Sequence, residues 1–131
     1  MVVEKATRQI ICIHTAEGKR HDFRLLKDSR VRMQSATRTV LDSGYQGAQK
    51  EHINTVLPLK KPRGGKLTKE QKRVNKSVAQ QRIVNENVIG SIKRFRIIAE
   101  RYRNRRKRYG LRITLIAAIH NFELGQVPKE V

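Results

Sequence analysis

The stretch QRIVNENVIGSIKRF, residues 81 to 95, sets the register of the longest periodic segment in the chain. At about 100° per residue in an α-helix, Arg82, Glu86 and Lys93 fall inside a stripe about 40° wide, one carboxylate between two cations. Val74, Val78, Val88, Ile92 and Phe95 gather on another side of the same wheel, the apolar side that packs against the rest of a domain. The charged stripe therefore borders the core stripe, where a helix flanks a cleft. On this helix alone, an i,i+4 Arg82–Glu86 pair on a solvated face accounts for the stripe and adds about 0.2–0.5 kcal/mol. Upstream, Thr68 with Gln71 three positions on makes a capping-box signature, which predicts one long helix from there to about Ile98.

Before that helix the period changes. Val2–Val3, a polar EKATR connection and QIICIHT (9–15) read as a strand end, a turn and a second strand rich in β-branched residues. AEGKRHDFRLLKDS (16–29) is a Gly-containing loop entering a short helix, with Phe23, Leu25 and Leu26 available for packing. TRTVLDSGYQG (37–47) reads as a brief strand ending at Asp42, followed by two glycines that let the backbone turn sharply. A helical turn over 47–52 and a short strand in INTVLPL (53–59) follow, with Pro58 marking its end. KKPRGGK (60–66) is a basic loop. Beyond the long helix comes the basic run ERYRNRRKRYG (100–110), then a largely apolar final helix in LRITLIAAIHNFEL (111–124). Mixed strands followed by helices predict an α/β domain.

Composition narrows the function classes. In 131 residues, 30 Lys and Arg against 11 Asp and Glu give a formal charge of +19, and a surface so charged repels itself unless a polyanion is bound. Nucleic acid is the expected polyanion, held by salt-sensitive phosphate contacts. With three Tyr, three Phe and no Trp, base-stacking platforms for single strands have little support, and double-stranded DNA fits better. A lone cysteine, Cys12, excludes a disulfide framework and a four-cysteine zinc site, and reads as a buried structural thiol in a reducing compartment. No apolar run approaches the roughly 20 residues of a membrane span, and the N-terminus lacks a signal-peptide plan. The sequence thus predicts a soluble, cytoplasmic protein without a membrane partner.

Chemistry is to be sought at strand ends and on helices facing them. Asp42 at a strand end and Glu86 on a helix are a natural pair for hard divalent cations, which take oxygen ligands. Each has a plainer reading: Asp before Ser-Gly initiates turns, and Glu favours helices. His21–Asp22 suggests a metal dyad only weakly, a helix cap or surface hydrogen bond being the plainer account. Lys60, Lys61, Arg63 and Lys66 in a Gly-containing loop, and Arg101, Arg103, Arg105, Arg106, Lys107 and Arg108 in a dense run, read as DNA backbone contacts or as solvated surface.

Taken together, DSGYQG at 42–47, LPLKKPRGGKLTKEQKRVN at 57–75, the R-x3-E-x6-K set of Arg82, Glu86 and Lys93, IKRFRI at 92–97, and YRNRRKRYGLRITLIAAIHNFEL at 102–124 resemble DDE transposases of bacterial insertion sequences. GKRHDFRLLKDS at 18–29 is similar to the segment after that family's third core strand. The resemblance covers nearly the whole chain. It implies a ribonuclease H-like core whose two Asp and one Glu bind Mg2+ or Mn2+ and which cuts DNA at an element's ends and joins them to a target. By motif match Asp42 is the second catalytic carboxylate and Glu86 the third, while Arg82 and Lys93 contact DNA beside them. Ala79 stands where many relatives carry an aromatic residue or His.

The resemblance also implies that residues 1–131 are the C-terminal portion of one catalytic domain, beginning near the end of the second core strand, so that the first Asp is not among them. Glu4, Glu17 and Asp22 lack the strand placement that position requires. The expected partners are therefore duplex DNA and an upstream transposase half or another transposase copy, and the chain alone is expected to be a poor enzyme. A non-catalytic basic nucleic-acid binder, such as an RNA binder, is the rival that composition allows.

Overall fold

A computed structural model describes residues 1–16, 18–102 and 106–126. The chain divides into two bodies, one from residues 1–15 with 84 onward, the other from residues 16–83. Strands and helices are mixed, as the α/β expectation requires, though every strand is short.

In the first body β1 (Val2–Val3) pairs antiparallel with β2 (Ile10–Cys12), Val2 opposite Cys12 and Val3 opposite Ile10. The EKATR connection closes through Glu4 N–H donating to the Gln9 carbonyl at 2.9 Å and Arg8 N–H to the Glu4 carbonyl at 2.8 Å. The core joins Ile10 to Val88 and Ile92 of α2 (Lys69–Ile92) and to Ile116 and Ala117 of the last helix, all buried. That last helix spans Tyr109–Gln126. Its Asn121 donates to the Ile10 carbonyl at 2.9 Å and accepts the Ile10 N–H at 2.8 Å, so one side chain satisfies both backbone groups of a core residue. Buried His120 completes the packing, one ring nitrogen 3.1 Å from Ser91 Oγ and the other 3.2 Å from the Arg8 carbonyl.

The predicted single helix to Ile98 is corrected here. α2 ends at Ile92, Phe95 N–H closes a turn on the Ile92 carbonyl at 3.2 Å, and α3 (Arg96–Ala99) begins after Phe95 in extended backbone. The reason lies on the wheel: in an unbroken helix Ile97 falls beyond the charged stripe, about 60° from Arg82. The break lets Phe95, Ile97 and Ile98 all pack against the core. Lys93 consequently follows the last residue of α2 rather than lying within a continuous helix. Cys12, expected to be buried, is only half-buried at the end of β2.

In the second body α1 (Asp22–Asp28) starts at His21, whose ring nitrogen Nδ1 accepts the Phe23 N–H at 3.4 Å. The helix-cap reading of His21 therefore holds. β3 (Thr39–Val40) runs parallel to β4 (Thr55–Val56), and Leu41 N–H donating to the Val56 carbonyl at 3.0 Å carries the pairing to the residue before Asp42. Two 3-10 turns, Ser43–Tyr45 and Ala48–Lys50, lie in the crossover. The capping box of α2 is formed in full: Thr68 N–H donates to Gln71 Oε1 at 3.0 Å and Gln71 N–H to Thr68 Oγ1 at 3.2 Å. Val78 is buried, but Val74, placed on the same apolar side by the wheel, is 49% exposed. A wheel fixes the angle of a side chain, not its height along the axis, and Val74 lies a turn nearer an exposed basic loop.

Among the described residues no helix is long and apolar enough to cross a membrane.

Candidate functional site

Asp42 follows the β3–β4 pairing and caps the Ser43–Tyr45 turn. Its Oδ1 accepts the Ser43 N–H at 2.6 Å and the Ser43 hydroxyl at 3.3 Å. Its other oxygen, Oδ2, lies 3.1 Å from Nη2 of Arg82. Two elements distant in sequence thus meet at one carboxylate: a strand end supplies the acid and α2 the guanidinium. The Asp42 side chain keeps 47% of its surface exposed and that of Arg82 26%. In such surroundings the pair contributes only about 0–1 kcal/mol to stability, so its importance is positional.

The turn carrying Asp42 admits little variation. A Cβ on Gly44 would lie 2.5 Å from Asp22 Oδ2, because the first acid of α1 packs directly over the turn. Gly47 adopts φ +100°, the left-handed region, and a Cβ there would also press on the Phe23 ring at 3.3 Å. Between the glycines, burial and then the charges of Asp22 and Asp42 push the Tyr45 phenol above its ordinary value of 10.0. The turn-initiator reading of Asp42 and the functional one are therefore compatible: the residue shapes the turn with one oxygen and leaves the other for a cation.

Glu86 is exposed on α2, one helical turn beyond Arg82 and in the first body, and Lys93 is exposed just past the helix end. Carboxylate oxygens are the donors a hard divalent cation takes, and the partly exposed carboxylate of Asp42 fits such an ion in kind. Among the described residues, however, no group of three or more His, Cys, Asp or Glu side chains converges to hold a metal. Asp22 and Glu4 are engaged locally, the first over Gly44 and the second as acceptor of the Thr7 hydroxyl. Glu17 lies outside the described residues.

The basic loop after β4 is built, not merely charged. Asn75 of α2 accepts the Leu59 N–H at 2.7 Å and donates to the Leu59 carbonyl at 3.0 Å, pinning the chain where the loop begins. Gly65 N–H donates to the Pro62 carbonyl at 3.1 Å, closing a turn in which Gly64 has φ +77°. Lys60, Lys61, Arg63 and Lys66 are all exposed on it. Arg101 is exposed after α3, and Arg106 opens a 3-10 turn, Arg106–Arg108, that runs into α4 (Tyr109–Gln126). Arg103 and Arg105 lie outside the described residues. Arg112, which the motif reading did not single out, donates to the Tyr102 hydroxyl at 2.6 Å, and the Tyr102 and Tyr109 rings stand 4.6 Å apart.

Sequence reasoning missed the Arg82–Asp42 contact, the Asp22–Gly44 contact and both asparagine clamps. A signal existed for the clamps: asparagine is a poor helix former, and at 75 and 121 it interrupts otherwise helical runs.

Asp42 at a strand end meets Arg82 of α2, and the basic loop is pinned to the same helix through Asn75. Residues 1–121 match the family model of the DDE superfamily endonucleases, and the chain belongs to that family. It is 46% identical over 125 residues to the probable transposase for insertion sequence element IS702 of Microchaete diplosiphon. The match takes in 95% of this chain and 45% of that relative, so the chain spans less than half the length of the curated relative it matches. No solved structure matches. DDE-type transposase ancestry, read first from the motifs, is thus shown by family and relative alike.

Proposed function

We propose that the chain is the C-terminal portion of a DDE transposase catalytic domain with a partial ribonuclease H-like fold, active in DNA cleavage and strand transfer once completed by an upstream half or a second copy. The observation that supports this reading is the contact between Asp42 and Arg82, two residues that the motif resemblance reads as the second carboxylate and a DNA-contacting arginine. Asp42 and Glu86 would hold Mg2+ or Mn2+, whose chemistry is to activate the attacking oxygen and stabilise the leaving one in phosphodiester exchange.

The chain's own residues bind and orient the substrate. Arg82 and Lys93 face phosphates beside the carboxylates, where fixed cations favour the charge that develops during displacement. Lys60, Lys61 and Arg63 on the pinned loop, with Arg101, Arg103, Arg105 and Arg106, hold the duplex backbone without reading its sequence. Double-stranded DNA is accordingly the partner and the cytoplasm the compartment. Family membership, which an RNA-binding role does not require, favours this reading over composition alone.

The test is a paired titration. Asp42→Asn and Glu86→Gln should each weaken Mn2+ binding while salt-sensitive duplex binding persists. Unchanged Mn2+ affinity in both variants would remove these residues from the metal site.

A further inference from the structure

We propose that the first two turns of α2 carry a further phosphate-binding face, Lys69, Lys72, Arg73 and Lys76, which together with the pinned basic loop grips one stretch of duplex backbone. The proposal rests on the reading of the chain as a DNA binder and adds a contact face that the motifs leave unassigned.

The four residues recur at i, i+3, i+4 and i+7 of one helix, which places them on a single face about 100° wide. All four are exposed, and buried Val78 lies nearly opposite on the wheel. Among the described residues none of the four forms an ion pair, and Glu70 is the only acid between residues 52 and 85. Further along, the same face continues as Gln80 and Ile83, so the cations are confined to the turns where the basic loop is tied. Leu59 before the loop is clamped by Asn75, and Thr68 after it by the capping box with Gln71. Helix physics alone disfavours the arrangement. Lys69 and Lys72 stand at the positive end of the helix macrodipole, and 69 with 72, 69 with 73, 72 with 76 and 73 with 76 set like charges one turn apart. A bound polyanion relieves that repulsion. Along the axis the face spans about 10 Å, comparable with three phosphate steps of one duplex strand at about 3.4 Å each. Such contacts hold a backbone and set its direction without reading sequence.

The experiment measures binding of the full chain to a duplex oligonucleotide by fluorescence anisotropy over a range of salt concentrations. A face variant carries Lys69→Gln, Lys72→Gln, Arg73→Gln and Lys76→Gln. A control carries Lys19→Gln, Arg24→Gln, Arg38→Gln and Lys50→Gln, four exposed cations of the same body. At about 0.9 for each neutralised phosphate, the slope of log affinity against log salt should shrink by about 3 to 4 in the face variant and by less than about 1 in the control. The face variant should melt no lower than the unaltered chain, because its like-charge pairs are gone. An unchanged slope in the face variant, or equal losses in both variants, overturns the face while salt-sensitive duplex binding stands. If the unaltered chain binds duplex without salt dependence, or not at all, the DNA reading itself fails and this proposal with it. Should the face variant melt lower or fail to fold, lysine acetylation of the unaltered chain decides. Bound duplex should protect Lys69, Lys72 and Lys76 while Lys19 and Lys50 stay reactive, and equal reactivity of the two sets overturns the proposal.

Discussion

Asn121 in α4 and Asn75 in α2 each hold one extended residue by both its backbone groups, Ile10 in partly buried surroundings and Leu59 in the open. The hydrogen bonds are similar in length, yet their energetic meaning differs. Around Ile10, itself only 6% exposed, water cannot easily replace a lost partner, so the clamp prevents two desolvated groups from being orphaned. At Leu59, 45% exposed, water can take over each bond, and the clamp chiefly sets where a basic loop leaves the fold. The same side chain thus serves stability in one body and placement in the other.

The strongest challenge to this contrast is Asn121→Ala, which should lower unfolding free energy by about 2–4 kcal/mol, read by urea denaturation. A loss below about 1 kcal/mol would mean that water reaches Ile10 and that the two clamps are alike. Next in size, Gly44→Ala should cost about 1–2 kcal/mol by driving Asp22 off the turn, and should reduce Mn2+ affinity with it. Should Mn2+ binding survive that change intact, the rigidity assigned to the Asp42 turn is misplaced.

Asn75→Ala should cost under about 1 kcal/mol and weaken duplex binding measured by fluorescence anisotropy. The salt slope should stay near that of the unaltered chain because the loop cations remain. Large destabilisation there would erase the distinction from Asn121.

The smallest effect concerns Tyr45. Its phenol is raised above 10.0 in the folded chain, so the folded state binds the proton more tightly than the unfolded one. The resulting stability is fully present below pH 10 and fades as pH rises through the folded value. Absorbance titration should place the phenolate midpoint above 10.0, and Asp42→Asn should bring it partly down, since burial, the larger cause, and Asp22 remain.

Local signals were legible where local physics decides. The capping box at Thr68 and Gln71, the hairpin before Ile10, the cap at His21 and the strand end at Asp42 all follow from neighbouring residues. Where the chain turns at Phe95 was not legible, because Ile92 and Phe95 keep the same apolar period on both sides of the break. Val74 misled for the opposite reason: its period is right, but it stays 49% exposed. Family ancestry was legible in the order of motifs. The meeting of Asp42 with Arg82 was not, since no periodicity links a strand end to a helix so distant in sequence.

The capping box also bears on the order in which the chain acquires structure. Its two bonds join residues three apart, so the start of α2 can nucleate without any distant contact, offsetting part of the cost of a first helical turn. The parallel pairing of Thr39 with Thr55 must first close the intervening loop. Arg82 is therefore expected to be carried on a scaffold that forms by local steps, and Asp42 to reach it after the slower pairing of strands. Changes at Thr68 should register mainly in the rate of folding, and changes in β4 mainly in the rate of unfolding.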